Sequence, residues 1–231
     1  MLADWSVECS ADDPVLVVPW SSLDASPAAA EGHPIIHPVA LSPVAQFIDL
    51  RENPYDLDQI PEAEQHPPLM QALRALNAPR SPLFTAKCDV WTLEPEELED
   101  LRQQLDLPAP SPEDADSLTG FASYIDVLWR DRSLFASFHQ SEQLLHRLTR
   151  LAGPLDHPGA LLDCVLRPAL VDFESVTANG DATARNHFKQ GYSITLYLKA
   201  LGPDLFTAKE VWAAALESLV ALLRSKDLAL A

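Results

Sequence analysis

From Gly191 to Lys199 polar and apolar residues alternate without a break. Tyr192, Ile194, Leu196 and Leu198 fall on one side, and Ser193, Thr195, Tyr197 and Lys199 fall on the other. A period of two is the mark of a strand with one face buried. The same period predicts a strand over 81–92, with Phe84, Ala86, Cys88 and Val90 set against Thr85, Lys87, Asp89 and Trp91. It predicts another over 121–129, with Phe121, Ser123, Ile125, Val127 and Trp129 opposite Tyr124, Asp126 and, just beyond, Arg130. Residues 160–174 are apolar on both faces in part but are interrupted by Asp163, Arg167 and Pro168, and a proline there argues for an edge position or a bulge. Shorter strands are expected at 44–50 and at Val15–Val18, the latter confined by Pro14 and Pro19.

Between these strands the period lengthens to that of a helix. Pro67 and Pro68 open a helix that carries Leu69, Met70, Leu73 and Leu76 on one face and ends at Asn77 and Pro79. Pro95 opens a short one, 96–105, whose first turn is acidic, as the helix dipole favours. Leu145, Leu148 and Ala152 belong to a long helix over 134–152 that Gly153 and Pro154 stop. A last helix over 204–224 buries Ala208, Val211, Trp212, Ala215, Leu219 and Leu222, and both Asp204 and Thr207 are suited to cap it. The pentapeptide Leu83–Lys87 recurs as Leu205–Lys209, once in a predicted strand and once in a helix. Nothing around the two copies matches, so they are not a repeat.

After residue 120 the order is strand, helix, strand, strand, helix, and the strand at 81–92 supplies a fourth strand. That order resembles the ferredoxin-like superfold over roughly residues 81–226. The expected fold class is therefore α+β: a two-layer sandwich with a mainly antiparallel sheet covered by helices on one face, ferredoxin-like in element order. The resemblance brings no functional motif, and such folds host many activities.

Composition divides the chain. Its 231 residues carry 34 acidic and 16 basic side chains, a net charge of −18. Residues 1–120 hold 22 of the acids and 5 of the bases, and 16 of the 20 prolines. Prolines at 27, 34, 38 and 43 forbid a continuous helix in the first stretch. Residues 1–43 are accordingly expected to be a proline-rich acidic arm, residues 44–231 a single domain, and residues 107–119 a mobile acidic loop within it. So negative a field disfavours direct contact with nucleic acid or anionic lipid. No stretch reaches the roughly 20 apolar residues of a spanning helix, and the first residues lack the pattern of a signal peptide, so a soluble cytoplasmic protein is expected.

Motifs for chemistry are sparse. The seven glycines are scattered singly, with neither a phosphate-binding loop nor a dinucleotide fingerprint. The three cysteines, Cys9, Cys88 and Cys164, form no C-x-x-C pair and read as buried thiols. His33 and His37 sit on a proline-broken stretch and share no helical face, while His139 and His146 read as ordinary histidines of a helix surface. No cofactor and no metal site is expected.

If helices cover one face of the sheet, the other face displays the polar sides of the strands. That set is Lys87, Asp89, Trp91, Tyr124, Asp126, Arg130, Arg167, Thr195, Tyr197 and Lys199. Aromatics amid paired charges on a broad surface suit recognition of a partner protein or self-association. The expectation is a non-enzymatic acidic interaction module: an adaptor, regulator or inhibitor. The alternative is a small-molecule-binding protein or enzyme using the same face, with Asp89 and Asp126 as acid/base groups and Lys87 or Arg130 holding an anion.

Overall fold

The computed structural model describes residues 1–8, 15–17, 48, 50, 53, 56–107, 118–172 and 188–228. Its centre is an α+β arrangement in which four long strands lie side by side: β3 (Leu83–Thr92), β4 (Thr119–Trp129), β6 (Phe188–Gly202) and β5 (Ala160–Asp172). Pairings β3–β4, β4–β6 and β5–β6 are antiparallel. The outer side of β5 is paired by β1 (Leu2–Val7) and then by β2 (Val15–Val17), both parallel to it. The sheet is therefore mixed rather than mainly antiparallel, because two strands from the proline-rich start of the chain run along β5 in its own direction.

β1 had no counterpart in the sequence reading, although its exposure alternates residue by residue. Its N-terminal ammonium donates to the carbonyl of Leu155 at 2.5 Å, and the Trp5 indole packs edge-on against His146 at 4.4 Å. Pro168 sits inside β5 rather than at an edge or bulge. β1 pairs through Leu166 and β2 begins at Ala169, so the missing N–H falls between the two partners, where no ladder bond is lost.

One face of the sheet carries Phe121, Ile125, Leu162, Cys164, Leu196 and Leu198. Against it pack α2 (Pro67–Leu76), α5 (Phe138–Ala152) and α6 (Leu205–Leu223), through Leu73, Leu145, Leu148, Trp212 and Leu219, with the short α1 (Pro61–Gln65) alongside. Each fully buried large side chain contributes about 1.5–3 kcal/mol. Caps fix where the helices begin. Asp204 Oδ1 accepts from the Thr207 N–H at 2.8 Å, so Asp204 and not Thr207 starts α6. Asp131 and Ser137 each cap a helix, which divides the helix expected over 134–152 into α4 (Arg132–Phe135) and α5. Gly202 lets α6 turn back tightly, since a Cβ there would lie 2.5 Å from the Ala208 backbone nitrogen.

Helices do not keep to one face. α3 (Pro95–Gln104) lies over the other side at one end, where Leu98 and Leu101 cluster with Trp91, Leu93, Ala122, Leu161 and Leu201. At the opposite end the Phe135 ring fills the space a Cβ of Gly191 would need, 2.3 Å away. The expected one-sided sandwich is thus corrected: apolar contacts close both ends of the second face and leave a polar belt across its middle. Among the described residues no helix is long and apolar enough to cross a membrane. Most of the strand expected at 44–50 and of the acidic loop at 107–119 lies outside the described residues, as do His33, His37 and Cys9.

Candidate functional site

The polar belt is assembled by register. Lys87 stands opposite Asp126, Asp89 opposite Tyr124, Tyr124 opposite Tyr197, Asp126 opposite Thr195, and Tyr197 opposite Asp163. A bulge between Thr85 and Lys87 sets this order. Before it Thr85 pairs with Val127 and so turns to the helix-covered face, while Phe84 pairs with Leu128 on the other, the reverse of strict alternation. After it Lys87, Asp89 and Trp91 take the places the sequence pattern assigns them.

Nine of the ten predicted residues share this face, and Arg130 does not. It follows the last residue of β4, and its guanidinium donates to the carbonyls of Leu83 (3.2 Å), Asn77 (2.6 Å) and Ala78 (3.3 Å). There it ties the end of α2 to the start of β3. The simple alternation failed at Arg130 because the strand ends one residue earlier.

Three aromatic rings cross the belt in a row. Trp91 and Tyr124 have centroids 6.3 Å apart, Tyr124 and Tyr197 6.0 Å, each pair tilted by a little over 50°. Arg167 places its guanidinium 5.7 Å from the Tyr197 centroid. The same guanidinium forks onto Glu8, with Nε donating to Oε2 at 2.7 Å and Nη2 to Oε1 at 3.2 Å, and Nη2 also donates to the Tyr197 hydroxyl at 3.2 Å. Glu8 comes from the end of β1. It was missed because no strand was expected at the start of the chain, although the alternation of Leu2–Val7 carried the signal.

Behind the rings lies a buried polar core. Arg167 Nη1 reaches the Thr195 hydroxyl oxygen at 3.5 Å, and that hydroxyl donates to Asp126 Oδ1 at 2.5 Å. Asp126 is only 4% exposed. Burial pushes its carboxyl above the ordinary range against the opposing pull of the Thr195 hydrogen bond and of the Lys87 and Arg167 charges. Burial, with Asp126 and Asp89 close by, pushes the Tyr124 phenol up to about 12, so it stays a neutral hydrogen-bonding group. Ser193, opposite Arg167, is fully buried, and among the described residues its hydroxyl has no partner.

Acids rim this side. Asp4 and Glu8 are exposed along β1, Asp89 along β3, and Glu94, Glu96, Glu99 and Asp100 around α3. Glu97 accepts from the Trp91 indole N–H at 3.3 Å and closes the capping box of α3, tying acidic helix to aromatic row. Lys199 sits beside Asp163 on the same face, where burial and Asp4 raise the Asp163 carboxyl and Lys199 opposes them.

Other chemistry lies elsewhere. Cys88 is on the helix-covered face and burial raises its thiol to about 12, and buried Cys164 is likewise raised, so neither is a ready nucleophile. Among the described residues no group of three His, Cys, Asp or Glu side chains could hold a metal ion. A cavity of about 310 Å³ opens between Leu83, Trp129, Leu134, Leu144, Leu223 and Leu228 and contains none of the belt residues. No family model matches the chain, and neither a curated protein nor a solved structure matches it.

Proposed function

We propose that the chain is a non-enzymatic, cytoplasmic protein-interaction module that engages a basic partner through the side of its sheet bearing Trp91, Tyr124 and Tyr197. The supporting observation is the row of half-buried rings beneath an acidic rim. Aromatic residues and arginine are the side chains enriched at the cores of protein interfaces, where they give large rigid contact area at small entropic cost. Acids at the edge attract a basic partner over a longer range and speed encounter. A second copy of the chain is a poor occupant, because a two-fold contact through this side would set like-signed rims against each other. On this reading residues 44–231 form the domain and residues 1–43 an arm whose first strands are stitched onto β5. The β3–β4–β6–β5 block then follows ferredoxin-like order, with one strand supplied from the N-terminal side.

The test is capture by the tagged full chain from native lysate, compared with a W91A/Y197A variant checked for folding by circular dichroism. The proposal expects a partner of high isoelectric point whose retention weakens with salt and is lost in the variant. Retention that is indifferent to both salt and variant would overturn it. A second reading, acid/base chemistry or small-molecule binding, draws on Asp126, whose raised carboxyl sits among Lys87, Arg167 and Thr195. Turnover or ligand binding lost in D126N but kept in W91A/Y197A would favour it.

A further inference from the structure

The geometry points to arginine, in preference to lysine, as the side chain that the Tyr124–Asp89 portion of this face recognises on its partner. This rests on the interaction reading above and specifies its ligand chemistry.

The face already displays how it holds one guanidinium. Arg167 lies over the Tyr197 ring, and a carboxylate, Glu8, takes its flat edge in a two-pronged hydrogen bond. One strand over, the same two kinds of group recur. Tyr124 is the next ring in the row, and Asp89 stands directly opposite it in register, exposed on the outer strand β3. Trp91 follows two residues on, with its indole N–H bound to Glu97, so its ring is held in place and its neighbourhood is acidic.

A guanidinium suits such a place better than an ammonium for three reasons. It is planar and stacks on a ring, it is weakly hydrated and so costs less to desolvate, and its paired N–H groups match both oxygens of a carboxylate. Lysine would gain the general attraction of the acidic rim and little else. The Tyr124 phenol, held neutral, keeps the ring a good π-surface without adding a charge of its own.

The probes are three capped peptides of three Gly-Xaa repeats, with Xaa arginine, lysine or citrulline, titrated calorimetrically into the full chain at physiological salt. The arginine peptide is expected to bind about tenfold more tightly than the lysine peptide, the equivalent of one moderately strong cation–π contact. The citrulline peptide should not bind. In D89N and in Y124L, which keeps apolar bulk but removes the aromatic ring, the arginine preference should fall to about twofold or less. Equal affinity for arginine and lysine, no binding of the arginine peptide, or a preference that survives both variants would each overturn the inference. If the peptides fail while lysate capture still depends on Trp91 and Tyr197, only this inference falls. If the peptides succeed and no partner is retained, the interaction proposal falls, and the arginine preference stands as a property of the Tyr124–Asp89 surface alone.

Discussion

A carboxylate drawn out of water loses hydration that its neighbours must replace, and at Asp126 they replace it incompletely. Its folded-state pKa is raised, first by burial, over the opposing effects of Thr195, Lys87 and Arg167. A carboxyl whose folded pKa lies above its unfolded one lends stability while protonated, below the unfolded value near pH 4. It withdraws that stability as pH rises through the folded pKa. D126N, which stays neutral and still accepts from Thr195, should therefore be at least as stable as the parent at pH 7, with a flatter pH profile above pH 4. D126A leaves the Thr195 hydroxyl without its acceptor and should lose about 1–3 kcal/mol. Thermal melts of the three proteins across pH 4–8 decide it; D126N falling as far as D126A at pH 7 would mean that the charge stabilises the belt. His66 has the opposite sign. Burial, then the Lys209 charge, lowers its pKa, so its contribution is present above the unfolded value of 6.5 and is lost as pH falls below it. H66F preserves ring contacts with Phe121 and Trp212, now at 5.3 and 6.2 Å, and should flatten the decline in melting temperature between pH 7 and 5.

At the scale of elements, what was legible in the chain was period, and what was not was interruption. Strands β3 to β6 and helices α2, α3 and α6 follow from spacing because tertiary packing rewards the stripe that the sequence displays. The polar belt was legible for the same reason: once Tyr124, Asp126, Thr195 and Tyr197 alternate with core residues, antiparallel pairing brings them together. The bulge at β3 was not, since it inserts one residue without changing composition. Asn77 holds it from outside the strand. Its Oδ1 accepts from the Thr85 N–H at 3.1 Å, and its Nδ2 donates to the Thr85 hydroxyl at 2.6 Å and to the Leu73 carbonyl at 2.9 Å. Asn77 is buried and its bond to the Thr85 N–H is part-buried, so N77A would leave that N–H without its acceptor, at a cost of about 1–3 kcal/mol. Urea denaturation should show that loss, and amide exchange at Thr85 should accelerate more than at Ile125. A loss below about 0.5 kcal/mol would show the bulge to be fixed by β4 alone.

For the whole molecule, the question is whether a net charge of −18 strains the fold or is neutralised within it. Among the described residues Glu8 pairs with Arg167, and Glu99 with Arg102 one turn along α3, each with its carboxylate exposed and its guanidinium partly covered. Exposed pairs of this kind are worth at most about 1 kcal/mol each and weaken as salt is added. Repulsion acts among many more groups, since Asp4, Glu8, Asp89, Glu94, Glu96, Glu99 and Asp100 all lie on one side. Salt screens that term as well, over a Debye length of about 10 Å at 0.1 M. Because repulsive partners outnumber the paired ones on this side, screening should stabilise the protein on balance. The melting temperature is expected to rise by a few degrees from low salt to about 0.3 M sodium chloride, and sulfate is avoided because its exclusion from protein surfaces strengthens folding by a separate route. D100N removes an exposed charge from α3 beyond its first turn and outside its capping box, so it should raise the low-salt melting temperature and reduce the salt increment. A melting temperature that falls with sodium chloride would show that the ion pairs outweigh the repulsion. The acidic side would then be electrostatically satisfied within the folded chain, and a basic partner would gain correspondingly less by covering it.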